Sequence, residues 1–395
     1  MEWLKALIGL ARRRGASDVH LEPGLSPAMR VRGTLELTEE AVTASMCQQA
    51  ARSIVGADGW NDFQLRGSYD LSKQLYGIRC RINVLQSSRG VGLAIRLLTS
   101  FEASVETLNL HPVFHTLSEK QHGLILICGA TGSGKSTTMA ALLEEINRRE
   151  ARHIITIEHP IEYAFRPVKS IVRQREVGRD TPSFDQALLD AMREDPDVIM
   201  VGEMRRPETM MMTLNAAETG HLVLSTLHAS TPAEAIQRMV SAFPAESQPS
   251  VRAQLADCLV AVVCQKLHFL PSEQLRVPEC EILMASHAVK NVIRMGQFFK
   301  FQSLLETGGK EGSWSLERYR DWLSRKTDWH HLTPEDMSVV EEVEEPVHRP
   351  IKRAATPPPS RPQTTAAQTP PNDDVLVLDF EDDNLEDIIS QLKKF

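Results

Sequence analysis

The sequence predicts an α/β protein with two folded domains and a C-terminal extension that lacks the composition of a core. In the middle of the chain, short apolar runs alternate with helical stretches, as in strands buried on both faces of a parallel sheet. Residues 1–105 instead mix a helical pattern with alternating strands. Beyond about residue 332 the apolar periodicity is lost and proline becomes frequent.

The first predicted domain, residues 1–105, is a small mixed α/β domain. Trp3, Leu7 and Leu10 recur at helical spacing, and short strands are predicted at 18–21 and 29–33. Residues 78–84 alternate apolar and polar side chains, which predicts a half-buried strand. Its partner is predicted at 91–98, with a turn at 87–90 between the two.

The second predicted domain, residues 106–290, carries the buried strands and is followed by a helical region at 291–331. The strands of a predominantly parallel sheet need helical crossovers between them. The predicted strands are 124–128, 153–157, 198–201 and 222–226, and the predicted helices include 136–149 and 184–193.

The C-terminal extension divides into a linker, 332–372, and an acidic tail, 373–395. Eight of the 22 prolines fall between Pro346 and Pro371, which predicts a disordered, extended linker. In the tail, apolar residues recur at helical spacing among acids. Two interpretations stay open: a docking peptide that folds on an unknown partner, or a solvated acidic segment. The apolar positions are Leu385, Ile388, Ile389 and Leu392.

The charge of the chain is concentrated in this extension. The net charge is −8, and residues 335–395 hold 14 acids and six bases, so the preceding residues sum to zero. A neutral body argues against a nucleic-acid-binding surface. No apolar run reaches the roughly 18 to 20 residues of a membrane span, and the N-terminus does not resemble a secretory signal. We expect a cytoplasmic protein.

The six cysteines lie far apart and form no C-x-x-C pair. This spacing favours buried thiols in a reducing compartment over a zinc ribbon or a dithiol redox site.

Residues 129–136, G-A-T-G-S-G-K-S, match the phosphate-binding loop pattern G-x-x-x-x-G-K-[ST], between a predicted strand and a predicted helix. The glycines let backbone N–H groups turn toward phosphate oxygens, and the helix N-terminus adds its dipole. We expect Lys135 to neutralise the β- and γ-phosphates of ATP and Ser136 to ligate Mg²⁺. The predicted nucleotide-binding residues are Gly129, Ala130, Thr131, Gly132, Ser133, Gly134, Lys135, Ser136 and Thr137.

A nucleotide site of this kind needs an acid near the end of a neighbouring strand. Glu203 follows the apolar run 198–201, and we expect it to face the phosphates from the adjacent strand and to polarise the attacking water.

Together these motifs resemble the secretion and pilus ATPases, and among them the PilT-type twitching motility proteins. The resemblance is dense over residues 123–294, looser over the N-terminal domain and absent from the tail. Residues 201–205 look like the Walker B segment of that family, 156–162 like its acidic "Asp box", and 219–228 like its His box. Residues 174–177 and 193–197 add further matches.

The resemblance implies a PAS-like N-terminal domain joined to a RecA-like domain, assembled as a homo-hexameric ring. It also implies that ATP sits between the two domains and that arginines from elsewhere in the ring complete the site. The matching arginines are Arg81 and Arg96, whose guanidinium groups suit the charge of a transferring phosphoryl group. The implied partner is an inner-membrane pilus platform protein, with a paralogous pilus ATPase as a further possible partner.

Within the Asp box, Glu162 matches the glutamate that helps to hold magnesium in the family, and Glu158 is its partner. His159 departs from the pattern, because an aspartate is usual there. An imidazole does not replace a carboxylate around Mg²⁺, which prefers hard oxygen ligands. If the missing carboxylate would only have supported the Mg²⁺ ligands without contacting the ion, ATP hydrolysis survives. If it would have done more, ATP turnover is slow.

His221 and His228 flank the strand 222–226 and match sensor residues of the family. We expect them to couple the presence of phosphate to subunit geometry, and His228 to act at the catalytic site. The sequence offers no third ligand at a spacing that would indicate a zinc site.

Two features favour a retraction motor. The chain lacks the tetracysteine motif of assembly and type II secretion ATPases, and residues 288–294, A-V-K-N-V-I-R, resemble a signature of retraction ATPases. The alternatives are a motor for pilus extension, competence or type II secretion, or a weakly active paralogue that serves as an accessory subunit.

Overall fold

The computed structural model of the protein describes residues 1–31, 33–98 and 103–331, which contain two β-sheets. The first sheet has six strands and the second has seven. The predicted linker and acidic tail lie outside the described residues. The domain limits at 105, 290 and 331 stay predictions.

The first sheet is antiparallel throughout, in the strand order β3-β2-β1-β6-β5-β4. Its helices pack on one face, where buried side chains such as Leu4, Ile8 and Ile82 meet. The elements are α1 (Glu2–Arg13), β1 (Ala16–Leu21), β2 (Ala28–Val31), β3 (Thr34–Leu37), α2 (Ala44–Arg66), β4 (Ser68–Leu75), β5 (Ile78–Ser87) and β6 (Gly90–Leu97).

The predicted pairing of β5 with β6 is confirmed, with the turn where it was expected. The sequence analysis did not identify α2 or β4. Helix α2 begins after Thr43, whose hydroxyl accepts a hydrogen bond from the backbone N–H of Met46 at 3.2 Å. It contains a backbone break at Gly56, with φ 74°, and this break interrupts the helical periodicity on which the prediction relied.

The second sheet has the order β13-β12-β7-β11-β10-β8-β9, and only β13 pairs antiparallel in it. Its strands are β7 (Gly123–Cys128), β8 (His153–Glu158), β9 (Ile171–Glu176), β10 (Val198–Val201), β11 (Leu222–Leu227), β12 (Leu259–Leu270) and β13 (Leu275–Met284). The predicted, predominantly parallel sheet is therefore present, and a β12–β13 hairpin forms one antiparallel edge of it.

Helices cover both faces of this sheet, which explains why its central strands are buried on both sides. On one face lie α3 (Val113–Ser118), α4 (Lys135–Arg149) and α11 (Leu316–Arg325). The other face is covered by α5 (Phe184–Ala191), α6 (Pro207–Glu218), α7 (Pro232–Ser241), α8 (Gln248–Cys258), α9 (His287–Met295) and α10 (Phe301–Thr307). The predicted α/β class is confirmed.

Four parallel strands end at the same edge of the second sheet. In the register, Cys128 of β7 pairs with Leu227 of β11, and Val201 of β10 pairs with both Ser225 of β11 and Ile157 of β8. The segments that follow these strands are therefore neighbours in space, at the edge where open α/β sheets bind ligands.

Among the described residues, every helix is too short or too polar to cross a bilayer.

Candidate functional site

The loop between β7 and α4 has the backbone that its glycines predict. Gly129, Gly132 and Gly134 have φ values of 151°, 78° and 87°, which residues with a Cβ rarely adopt. Gly129 donates its backbone N–H to the carbonyl of Leu227 at 3.3 Å, so the loop is tied to the end of β11. Helix α4 begins directly after Gly134.

Lys135 curls back over this loop. Its Nζ donates to the carbonyl oxygens of Gly129 at 3.0 Å and Ala130 at 2.8 Å. Burial lowers the pKa of Lys135, and the carboxylates of Glu162 and Glu203 oppose that effect. Three groups that lie far apart in sequence thus share one electrostatic environment.

The next two residues of α4 have different surroundings. Thr137 shares a hydrogen bond of 2.7 Å with the Tyr163 hydroxyl. Ser136 is half-buried, and its hydroxyl has no hydrogen-bond partner in the part of the chain that the structure describes. A serine hydroxyl and the Glu162 carboxylate are hard oxygen donors of the kind that Mg²⁺ prefers, so these residue types fit that ion.

Glu203 lies two residues beyond the end of β10, with 24% of its side chain exposed. Arg205 donates from Nε to Glu203 Oε2 at 2.8 Å and is itself largely exposed. The expectation of an adjacent strand is wrong, because β11 lies between β7 and β10. Glu203 nevertheless remains within electrostatic range of Lys135, since both follow the carboxyl edge of the sheet.

The two acids of the Asp box occupy different environments. Glu158 is buried and accepts hydrogen bonds from the Thr156 hydroxyl at 2.8 Å and from the Gln174 amide at 3.2 Å. Burial raises the pKa of Glu158 to about 7, against the effect of these bonds. Glu162 is more exposed and donates its backbone N–H to Glu158 at 3.4 Å. Glu158 therefore positions the loop, and the carboxylate of Glu162 is left to face Lys135.

His159 is exposed and lines a cavity of about 350 Å³ together with Glu203 and Arg205. The residue that departs from the family pattern thus borders the same cavity as the predicted water-activating acid.

A second cavity, of about 560 Å³, opens on the other side of Glu203 and Arg205. His228 lines it, at the carboxyl end of β11. Burial lowers the pKa of His228, and the charge of Lys135 lowers it further, while Glu203 opposes both effects.

The structure separates the two histidines that the sequence analysis paired. His221 precedes β11 at the opposite edge of the sheet, where its Nδ1 lies 2.9 Å from the Ala216 carbonyl. At roughly 3.3 Å per residue, the strand places about 20 Å between His221 and His228. Of the two predicted sensors, only His228 therefore lies at the carboxyl edge with the phosphate-binding loop, and the coupling role of both stays a prediction.

Arg81 and Arg96 lie directly opposite each other on β5 and β6. They belong to a row that runs from Ser72 on β4 to Asp18 on β1, all on the sheet face away from α1 and α2. Arg96 Nε donates to Asp18 at 2.8 Å. Ser72 is buried and donates to the Ile161 carbonyl at 2.9 Å, which attaches one end of this row to the Asp-box loop.

The sequence analysis missed Gln265, a buried glutamine on β12 that hydrogen-bonds to the phosphate-binding loop. The available signal was its position as a polar residue directly after the apolar run 259–264. Gln174 and Tyr163 were not predicted as site residues either, although residues 174–177 match the family pattern.

A glycine-rich loop with its lysine, two carboxylates at the same sheet edge and helices on both sheet faces define this protein as a P-loop ATPase. A family model described as "Type II/IV secretion system protein" matches residues 1–295. The chain belongs to that family.

Among curated relatives, the type IV pilus retraction ATPase PilT of Pseudomonas aeruginosa is 39% identical over 313 residues, which cover 79% of this chain and 91% of that protein. The type IV pilus ATPase PilU of the same organism is 33% identical over 320 residues, 80% of this chain and 84% of that protein.

Among solved structures, the pilus retraction motor PilT with bound ADP matches with a TM-score of 0.75 and 38% identity, over 84% of this chain and 94% of that chain. These comparisons confirm the resemblance that the motifs indicated.

Proposed function

We propose that this protein hydrolyses ATP to power retraction of a type IV pilus, as a homo-hexamer that acts on an inner-membrane platform protein. The observation that carries the proposal is the glycine-rich loop over which Lys135 folds, with the charges of Glu162 and Glu203 acting on that lysine. The similarity to retraction ATPases over most of the chain supports the pilus as the target.

In this proposal the loop holds the phosphates of ATP. The N–H groups of residues 129–136 surround the β-phosphate, and Lys135 exchanges its two carbonyl partners for phosphate oxygens. Ser136 and Glu162 would hold Mg²⁺, which supplies charge neutralisation at the phosphates when bound.

Glu203 is the proposed general base, which accepts a proton from the attacking water. Its ion pair with Arg205 orients the carboxylate. His228 lies close enough to sense the charge of Lys135, and its neutral imidazole could accept a hydrogen bond from phosphate-bound water.

The arginines are proposed to act between subunits. Arg81 has no hydrogen-bonded or ionic partner among the described residues, and it lies half-buried on the face of the first sheet away from α1 and α2. A neighbouring subunit's nucleotide would supply the negative charge that Arg81 lacks, and it would compete with Asp18 for Arg96. A paralogous pilus ATPase, and an unknown partner of the acidic tail, are further proposed partners. A cytoplasmic position at the inner membrane follows from this role.

The test combines Lys135→Ala with pilus counting. We expect ATP turnover of the purified variant to fall to background and cells that carry it to become hyperpiliated and immotile. The matched control is Lys120→Ala, at an exposed lysine in the turn before β7. Retraction by the Lys135→Ala protein alone would contradict the proposal, and cells without pili would favour an extension motor.

One observation supports a second candidate, a weakly active accessory subunit. His159 lines the same cavity as Glu203, at a position where an aspartate is usual in the family. If the missing carboxylate limits turnover, His159→Asp raises the ATP hydrolysis rate. An unchanged rate would remove the reason for this candidate.

A further inference from the structure

We propose that Gln265 is a positioning residue for the phosphate-binding loop, and that nucleotide affinity depends on its side-chain amide. This inference rests on the proposed function, because it concerns the same nucleotide site. It assigns a role to a residue of β12, outside all the motifs that identify the family.

The amide of Gln265 makes two hydrogen bonds of opposite polarity to the two sides of the loop. Its Nε2 donates to the backbone carbonyl of Ser133 at 2.7 Å. Its Oε1 accepts from the hydroxyl of Thr138, in the first turn of α4, at 2.8 Å. Reversal of the amide would place two oxygens together at Ser133, so the two contacts fix its orientation.

Gln265 also occupies the space that two loop glycines leave free. A Cβ on Gly134 would come within 2.8 Å of Gln265 Nε2, and a Cβ on Gly129 would overlap the backbone carbonyl of Gln265. The loop therefore approaches β12 as closely as a polypeptide backbone can. Any shift of this side chain is transmitted to the loop by direct contact.

The environment makes these bonds sensitive to substitution. Gln265 is 1% exposed and Thr138 is equally buried, so water cannot replace a lost partner. The strand that holds Gln265 is fixed on both sides, because Cys264 pairs with Cys128 of β7 and Gln265 pairs with Cys280 of β13. Strand β12 therefore holds the buried amide of Gln265 in a fixed position against the phosphate-binding loop.

Substitution of Gln265 should affect nucleotide binding more than the chemical step. Lys135 and Glu203 remain in place when Gln265 is changed, but the loop N–H groups lose a support for the conformation that faces phosphate. Loss of pre-organisation weakens ground-state and transition-state binding together, which raises KM and leaves kcat comparatively unaffected.

The experiment measures binding of a fluorescent ADP analogue and steady-state ATP hydrolysis with the full-length assembled protein. Gln265→Leu keeps the approximate volume and removes both hydrogen bonds. We expect the Kd for the analogue and the KM for ATP to rise by about tenfold, as for the loss of one buried hydrogen bond. The kcat at saturating ATP should change by less than about threefold.

The matched control is Val263→Ala, which removes buried volume from the same face of β12 and no hydrogen bond to the loop. If it weakens nucleotide binding as much as Gln265→Leu does, the effect is general destabilisation and the inference fails. Thermal melting of both variants keeps the comparison valid for any loss of stability.

Thr138 gives an independent test of the same contact. Thr138→Val removes the hydroxyl and should weaken binding, whereas Thr138→Ser retains it and should restore affinity. In the double variant with Gln265→Leu, the cost of Thr138→Val should largely disappear, because the partner is already gone. Full additivity would overturn the inference.

The outcomes separate this inference from the proposed function. If the unaltered protein neither binds the ADP analogue nor hydrolyses ATP, both fail. If it does both and Gln265→Leu behaves identically, only the role of Gln265 is refuted.

Discussion

The carboxyl edge of the second sheet and the open face of the first sheet differ in how complete they are within one subunit. At the carboxyl edge, Lys135 already has two carbonyl partners and lies in the field of two acids. On the open face, Arg81 lacks a partner among the described residues and Arg96 meets only Asp18. The groups of the candidate nucleotide site are therefore gathered within one subunit. The arginines of the first sheet need a further surface on which to act.

This difference predicts which substitutions should have effects that depend on the assembly of subunits. Groups at the carboxyl edge converge because four parallel strands end together, which needs a single chain only. Guanidinium groups on an exposed antiparallel face stabilise phosphoryl transfer only if another surface brings the nucleotide to them. Substitutions in the two regions should therefore differ in their response to mixing of subunits.

The largest expected effect tests the carboxyl edge. Glu203→Gln keeps the side-chain volume and removes the base, so ATP turnover should fall by about a thousandfold, within the usual range of general-base catalysis. Binding of ADP should remain, since Lys135 and the loop are intact. The control is Glu208→Gln, at an exposed acid on α6. Normal turnover of Glu203→Gln would show that another group activates water.

The second prediction uses the buried acid of the same region. The pKa of Glu158 is raised by burial from 4.5 to about 7, so the native state binds more protons than the unfolded state between these values. The free energy of unfolding should therefore fall as pH rises through this window, by up to about 3 kcal/mol.

Glu158→Gln should remove this contribution, because the amide does not titrate. Chemical denaturation of both proteins at several pH values from 4.5 to 7.5 measures the difference. Parallel pH profiles for the two proteins would refute the raised pKa.

The third prediction addresses the open face. Arg81→Ala should lower turnover by about tenfold to a hundredfold, below the roughly 10³ to 10⁵ of a single arginine finger, because Arg96 shares the role. Arg89→Ala, at the exposed turn of the same hairpin, is the control. Mixing Arg81→Ala subunits with Lys135→Ala subunits should restore part of the activity, because each supplies what the other lacks. No recovery on mixing would mean that the arginine acts within its own subunit.

Features that depend on residues close together in the sequence were predicted correctly, whereas features that depend on distant contacts were not. The strand before the loop, the loop and α4 were predicted because each rests on local patterns: an apolar run, glycines and helical periodicity. Helix α2 was missed because Gly56 interrupts that periodicity. The β12–β13 hairpin was missed because its apolar run contains polar residues such as Gln265, which are explained only by contacts with a distant loop.

By itself, the sequence determined the α/β class, the family and the phosphate-binding loop, because backbone geometry at glycine and strand burial are encoded in neighbouring residues. Only the tertiary structure decided that β11 separates β7 from β10 and that Gln265 hydrogen-bonds to the phosphate-binding loop. These facts depend on strand order and on contacts between residues far apart in the chain. A local pattern does not specify which strand will become the neighbour of another.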